Sequence, residues 1–401
     1  MSEFHTPPSH GDLQGGYFPT HKHNDHYDDP VMSPGSMSPW MSPRKLSNPM
    51  CGAPLSRSSS RGTRGSVTSI GASPASLFLN TVNSPLTSQT LEPDAEGQEI
   101  GAYVLGKQIG FGGFSTVKEA ITIENNREIK RAVKIVRKRA SDADSENDRV
   151  QAEFEHEVSL WRLLNHPRIL KLAAVYDSPF ATFAFMPLHA GGTLFDLIKL
   201  NRGGLPAHRA QRYCHQLASA IRYLHEDMRI VHADIKLENC LLDSTTDSIL
   251  LCDFGLAQFV GSSFSPCSPQ QNTQVTRPPT PPECHNVTGS LPYASPELIQ
   301  APERYVAPCI DIWAFGILVY ALHVGTLPFT HAFPPNLQNM ILKGHWDVEA
   351  LRNCASLREV EEWRAESVVE LVRGCLSRNV ARRWDVGHVL GSPWFEGCGE
   401  A

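Results

Sequence analysis

Residues 232–239 read His-Ala-Asp-Ile-Lys-Leu-Glu-Asn, and fourteen residues after Asn239 comes Asp253-Phe254-Gly255. Asp234 is a carboxylate that can accept a proton from a hydroxyl. Lys236, two residues further on, can stabilise charge on a moving phosphoryl group. Asn239 and Asp253 offer the hard oxygen donors that Mg²⁺ demands. These residue types at this spacing describe phosphoryl transfer, a reaction that needs positioning and charge neutralisation rather than a covalent intermediate. Each half of the pattern completes the other.

Such a site also needs something to hold phosphates. Upstream lies Ile109-Gly110-Phe111-Gly112-Gly113-Phe114-Ser115-Thr116-Val117, a run whose backbone amides can approach phosphate oxygens closely. Alone it reads equally well as an ordinary Gly-rich hairpin. Its third glycine position is Ser115, with Gly113 beside it as a source of similar freedom. Lys134 follows seventeen residues after Val117, inside the strand-like run Ala132-Val133-Lys134-Ile135-Val136. A lysine projecting from a strand under that hairpin can reach the α- and β-phosphates, and a carboxylate must then position it. Glu157 fits that role, on a segment where Phe154, Val158, Trp161 and Leu164 recur at helical spacing. Either residue alone reads as a solvated surface charge; among these neighbours they read as a pair.

The elements that must position these residues fall into two groups. Tyr103-Val104-Leu105-Gly106 and Ala132 to Val136 are strand-like. Asp148 to Leu164, Ala210 to Leu224 and Ile310 to Val324 are predicted helices, the last apolar nearly throughout and therefore buried. Strands dominate before about residue 185 and helices after it. This predicts an α+β fold with a small sheet lobe joined to a larger helical one.

Composition sets the boundaries. The chain has 401 residues, 41% hydrophobic and 19% charged, ordinary for a globular protein with a core of about two or three domains. A net charge of −6 gives no pointer to nucleic acid or an anionic membrane as partner. The ten cysteines are scattered without a CxxC pair, as free thiols in a reducing compartment are. The N-terminus lacks a signal-peptide layout, and no run approaches the roughly 18 apolar residues of a membrane span. The expected location is cytoplasmic or nuclear.

Residues 1–97 are rich in Ser, Pro, Gly, Thr and His and poor in periodic apolar residues, so a disordered tail is expected. Its Ser-Pro pairs (Ser33, Ser38, Ser42, Ser73, Ser84) and the basic-preceded Ser47 and Ser66 fit two readings. One is a regulatory tail that is phosphorylated, by another enzyme or by the chain itself; the other is the chance frequency of such pairs in a Ser/Pro-rich stretch. Ser76-Leu77-Phe78-Leu79, its most apolar point, is a docking segment or a chance cluster. His21, His23 and His26 lack the scaffold of a metal site. A similar stretch, 262–284, interrupts the folded part and reads as an insertion, not a domain boundary.

In this order the motifs resemble the eukaryotic serine/threonine protein kinases, over roughly residues 98–397. The resemblance implies a bilobal fold, with a small antiparallel sheet lobe and one main helix (98–188) above a larger helical lobe (189–397). It implies ATP with Mg²⁺, or Mn²⁺ in its place, and Ser/Thr hydroxyls of protein substrates as acceptors. Asp234 then matches the catalytic base and Lys236 the γ-phosphate contact. Asn239 and Asp253 match the metal ligands, and Lys134 and Glu157 the strand Lys and helix Glu, with Asn165-His166-Pro167 at the family's interval. Ile109, Gly110, Gly112 and Val117 fall in the nucleotide-covering hairpin. Val117, Ala132 and Leu241 would sandwich the adenine, with Met186 as gatekeeper and Pro187-Leu188-His189 as hinge. Trp161, Leu172, His232 and Phe254 would stack as an internal spine. Residues 289–297, Gly-Ser-Leu-Pro-Tyr-Ala-Ser-Pro-Glu, resemble the peptide-binding segment. Within it Ser290 can bond Asp234, and Glu297 pairs with Arg383. Asp311, Trp313 and Gly316 match the buried central helix.

Departures from the family pattern bear on control. Ala233 stands where Arg is usual, the residue that in many members clamps a phosphorylated loop. Its loss implies an active conformation that does not depend on loop phosphorylation through that Arg. Thr280 is a site for a proline-directed regulatory kinase or inert sequence. Thr193 and Ala321 stand where Arg-directed members carry Glu, which argues against a strong basic preference; Asp196 is left to contact an Arg or the ribose. Cys252 reads as a small buried apolar residue more than as a modifiable thiol. Ala233, Ser115 and Pro187 leave a pseudokinase scaffold as the alternative. Against it stands the complete set of residues that handle metal, phosphate and proton. The substrate and the oligomeric state are not written in the sequence.

Overall fold

The computed structural model describes residues 92–138, 145–260, 290–300 and 307–398. The Ser-Pro sites, Thr280, Gly289, the tail histidines and the 262–284 insertion lie outside the described residues.

The first lobe is built on a period of two. Strands β1 (Glu99–Ile100), β2 (Tyr103–Phe111), β3 (Ser115–Glu124), β4 (Arg127–Arg137), β5 (Ala174–Asp177) and β6 (Ala181–Pro187) form an antiparallel sheet in the order β1-β2-β3-β4-β6-β5. Along β4, Val133 and Ile135 join an outer apolar cluster with Leu105, Ala120, Phe183 and Phe185, over which Tyr103 stacks on Phe185. The alternate residues Ala132 and Val136 join the main core. Lys134 lies between those two and therefore points toward the cleft between the lobes. Helix α1 (Ser145–Trp161) buries Phe154, Val158 and Trp161 beneath the sheet. It stops at Trp161 rather than continuing to Leu164. There the N–H groups of Leu163 and Leu164 donate to carbonyls three residues back, a tightened last turn ahead of Pro167.

The second lobe is helical as predicted, apart from two small strand pairs. Helices α2 (Leu194–Leu200) and α3 (Ala207–Arg222) lead into a π-helical turn, Tyr223–Asp227. Strand β7 (Ile230–Val231) pairs with β10 (Gln258–Phe259), and β8 (Cys240–Asp243) with β9 (Ser248–Leu251). These segments are too short to leave a periodic signature, and they flank the loops that hold Asp234, Asn239 and Asp253. Helix α4 (Pro296–Gln300) precedes α5 (Pro308–Val324), whose residues from Ile310 to His323 are all buried. At roughly 1.5–3 kcal/mol for each large apolar side chain buried, α5 is the main anchor of this lobe. Helices α6 (Pro334–Lys343), α7 (Val348–Arg352), α8 (Glu362–Cys375) and α9 (Val386–Leu390) surround it. Trp313 of α5 stacks on Phe329 at 5.9 Å. Gly316 lets α8 approach, since a Cβ there would lie 2.6 Å from that of Cys375. Among the described residues no helix is long and apolar enough to cross a membrane.

One buried group makes this core sensitive to acid. His323 of α5 is fully buried; its Nδ1 is 2.7 Å from the Ser356 hydroxyl and its Nε2 has no partner. Burial lowers its pKa from 6.5 to about 3. Between those values the unfolded chain binds a proton that the folded chain refuses. Stability therefore falls as pH drops through that window, at a slope on the order of 1 kcal/mol per pH unit. Denaturant midpoints measured from pH 7 to pH 4 should fall less steeply for His323→Gln than for the parent; parallel curves would refute this.

Candidate active site

Lys134 holds two carboxylates at once. Its Nζ donates to Glu157 Oε1 and Oε2 at 2.7 and 2.8 Å and to Asp253 Oδ1 at 3.3 Å, with the Phe154 ring 5.6 Å away. Burial opposes its charge, but Asp253 and Glu157 outweigh that and hold its pKa above the ordinary lysine value. Lys134 correspondingly lowers the pKa of Asp253, against the effect of burial. Glu157 is raised, because burial outweighs the pull of Lys134. The strand, the helix and the Asp-Phe-Gly segment thus meet at one ammonium group.

Above this cluster, β2 and β3 form the hairpin, with Gly110 opposite Val117. The Gly112 N–H donates to Ser115 O at 2.7 Å, and a Cβ on Gly112 would sit 2.9 Å from the Ser115 hydroxyl. Gly113 does not supply the freedom expected of it. It has no left-handed backbone, and a Cβ there would meet open space. The side chains of Ile109, Val117, Ala132, Met186 and Leu241 belong to or pack against one apolar cluster, with Ala132 opposite Met186 in register. Leu241 is brought below the hinge by its bridge to Thr193, and the Leu242 N–H donates to Gly192 O at 2.9 Å. His189 is half-buried, and burial lowers its pKa despite Asp243.

Asp196 closes a capping box at the start of α2: Oδ2 accepts from the Thr193 N–H at 3.0 Å and from the Thr193 hydroxyl at 2.8 Å. One of its oxygens is thus committed locally, not left for an Arg or a ribose. Thr193 is buried in that cap, and Ala321 is buried within α5.

The loop before β8 is held by its backbone. Ala233 sits at φ 63°, a left-handed conformation that costs a residue with a Cβ roughly 1–2 kcal/mol. Asp311, in the first turn of α5, offsets this. It accepts the N–H of His232 at 2.8 Å and that of Ala233 at 2.9 Å, and His225 Nε2 lies 2.8 Å from it. The π-helical turn delivers His225 to that place. Asp234 is then surrounded by donors. Its Oδ1 accepts from the Ser290 hydroxyl at 2.8 Å, and its Oδ2 from Lys236 Nζ at 2.5 Å and Asn239 Nδ2 at 3.0 Å.

Asn239 Nδ2 also donates to the Asp234 carbonyl at 2.9 Å. This network assigns the amide orientation. It leaves Asn239 Oδ1 buried with no partner, an acceptor that lacks a donor or cation. The Cys252 N–H donates to the Asn239 carbonyl at 2.9 Å, which ties the residue before Asp253 to the backbone of Asn239. One carboxylate and one amide oxygen suit a hard divalent ion whose remaining ligands are phosphate and water. Among the described residues no group of three or more His, Cys, Asp and Glu side chains is placed to hold a metal ion.

Behind the site, His232 and Phe254 have ring centroids 5.1 Å apart, and Phe254 and Trp161 6.5 Å. Leu172, the fourth member of the expected stack, packs against the same apolar core and lines a cavity with Trp161. Cys252 is buried and its thiol pKa lies well above the ordinary value, so it is not the nucleophilic thiolate. Below, Arg383 makes a bidentate pair with Glu297 at 2.5 and 2.9 Å and lies 5.0 Å over the Trp313 ring. Ser295, in place of the usual Ala, leaves its buried hydroxyl without a partner.

Sequence reasoning passed over three contributors. The carboxylate of Glu238 accepts from the Tyr293 hydroxyl at 3.1 Å, although Glu238 lies inside the catalytic motif itself. His225 is a lone histidine at the end of an apolar stripe, which alone reads as core. Asp94 precedes the first strand-like run and carries no local signal.

A two-lobed fold with a glycine hairpin, a Lys–Glu pair and a loop holding Asp and Asn over an Asp-Phe-Gly segment defines a protein kinase domain. Comparison agrees: the protein kinase domain family matches residues 103–395, and the chain belongs to that family. It is 30% identical over 301 residues to a probable serine/threonine-protein kinase KIN1 homolog of Encephalitozoon cuniculi, covering 75% of this chain and 47% of that protein. It is 31% identical over 313 residues to serine/threonine-protein kinase SIK1 of Mus musculus, covering 78% and 35%. A match to the hormonally up-regulated neu tumor-associated kinase homolog of Xenopus tropicalis is 31% identical over 258 residues, covering 64% and 33%. The chain spans less than half the length of these curated relatives.

Removing one partner of the Glu297–Arg383 pair strands a guanidinium whose side chain is 0% exposed. Glu297→Ala should therefore lower the free energy of unfolding by about 3–5 kcal/mol in denaturant melts.

Proposed function

We propose that this chain transfers the γ-phosphoryl group of ATP to Ser and Thr hydroxyls of protein substrates. The observation that carries this reading is the simultaneous assembly of two sets of contacts. Lys134 is bonded to both Glu157 and Asp253, and Asp234 is bonded to Ser290, Lys236 and Asn239.

In this mechanism Ile109, Val117, Ala132, Met186 and Leu241 exclude water around the adenine, and the Pro187–His189 hinge offers backbone groups to its edge. Lys134, fixed by Glu157, orients the α- and β-phosphates. Asn239 Oδ1 and Asp253 hold the divalent ion, Mg²⁺ by the hardness of the donors, which supplies charge neutralisation on the phosphates. Asp234 orients the acceptor hydroxyl and takes its proton as the oxygen attacks, while Lys236 stabilises charge on the transferred group. The donors around Asp234 keep its lone pairs directed at one place. The relatives' names support serine/threonine acceptors. Thr193 and Ala321, buried and without carboxylates, support a weak preference for basic residues before the acceptor.

Asp234→Asn in the full chain should cut transfer from radiolabelled ATP to a generic acceptor protein by roughly 10²–10⁴-fold while nucleotide binding persists. Equal, background-level signals from parent and variant would instead favour a binding scaffold. Ala233 offers no guanidinium for a phosphate on the activation segment, so control through that contact is absent. Protein expressed in bacteria and treated with phosphatase should keep most of its activity; near-total loss would overturn this. The regulatory sites are then sought in the Ser/Pro-rich tail and near Thr280, and location in cytoplasm or nucleus remains part of the same proposal.

A further inference from the structure

We propose that Asp94 is a positioning residue for the Lys134–Glu157 pair, acting from the opposite face of the sheet. This rests on reading that pair as the nucleotide-holding one. Order was expected to begin near Gln98, yet the chain is already tightly held at Asp94, whose side chain is only 3% exposed. Its carboxylate takes a bidentate fork from Arg137, with Nη2 at 2.7 Å from Oδ1 and Nε at 3.1 Å from Oδ2. Lys118 Nζ lies 3.5 Å from Oδ2 and also donates to the Asp94 carbonyl. Burial would raise the carboxyl pKa, but these cations outweigh it and hold it below the usual value. A buried carboxylate with two cations is costly to leave half-made. It is therefore a strong tie between the segment before β1 and strands β3 and β4.

The location of that tie gives it consequence. Lys118 is paired in register with Val133, and Arg137 is two residues past Ile135, so both point to the outer face. Arg137 is the last residue of β4, three residues beyond Lys134. Its carbonyl accepts from Gln151 Nε2 at 3.1 Å, and Gln151 lies on α1, six residues before Glu157. Arg137 thus joins the strand that carries the lysine to the helix that carries the glutamate. Glu92, 2.9 Å from Arg137 Nη1, occupies the third corner of its fork. Loosening Asp94 frees Arg137, and with it the angle between β4 and α1. The competing explanation is that Asp94 only seals the outer cluster.

The full chain with Asp94→Asn, and separately Arg137→Lys, distinguishes these. Backbone hydrogen exchange over 145–161 should accelerate relative to that over 308–324, and KM for ATP should rise roughly fivefold or more with the protein-substrate KM little changed. Asp94→Glu should restore both. A lowered melting temperature with unchanged exchange in α1 and unchanged ATP KM would overturn the proposal. If Asp94→Asn fails to fold, Arg137→Lys, which keeps the charge and loses the fork, decides by the same readings. If the parent transfers no phosphate, the function above fails, whereas exchange in α1 and ATP binding still decide this inference.

Discussion

Asp311 is the group on which the rest of the site depends. It is a carboxylate 1% exposed to solvent, and burying such a charge is unfavourable unless its lone pairs find donors. Here the N–H groups of His232 and Ala233 and the ring of His225 occupy three of its roughly four lone-pair sites. Its place in the first turn of α5 adds the favourable end of the helix dipole. The strained turn at Ala233 and the direction of Asp234 both follow from satisfying that one anion. The almost wholly apolar helix around it keeps the anion fixed.

The upper lobe is held differently. Its link to the lower lobe at this site is the ammonium of Lys134, shared between Glu157 of α1 and Asp253 of the segment after β9. Such a contact depends on the orientation of two elements and is sensitive to small rotations between them. The rigid lower site and the adjustable upper pair have different physical origins. One is a hydrogen-bond network in a packed core, with the Asn239 Oδ1 acceptor left open, and the other an ion cluster at the edge of a cleft.

How much of this was legible follows from range. Asp234, Asn239 and Asp253 sit in short motifs with local spacing, whereas Lys134 stands 119 residues before Asp253 and was brought to them by the resemblance to the kinase family. The long helices were legible too, because their periodicity is strong. Leu163 and Leu164 continued the apolar pattern of α1 but not its geometry, because the turn before Pro167 intervenes. Gly113 looked permissive only because composition does not reveal backbone dihedrals. Asp196 looked wholly available because its spacing to Thr193 was not read as a capping box, which takes one of its two oxygens. Asp94 was invisible for the opposite reason. Its partners stand 24 and 43 residues away, and an acidic residue in a polar stretch has no period to give it away.

The left-handed backbone at residue 233 has a consequence for substitution there. The strain there falls on the main chain, and the bonds that offset it are made by main-chain N–H groups. The side chain is left out of that balance. A change of side chain at this one position therefore leaves untouched the main-chain bonds that direct Asp234. Residue 233 thus divides two tasks within one turn: the main chain sets the geometry and the side chain takes no part in it.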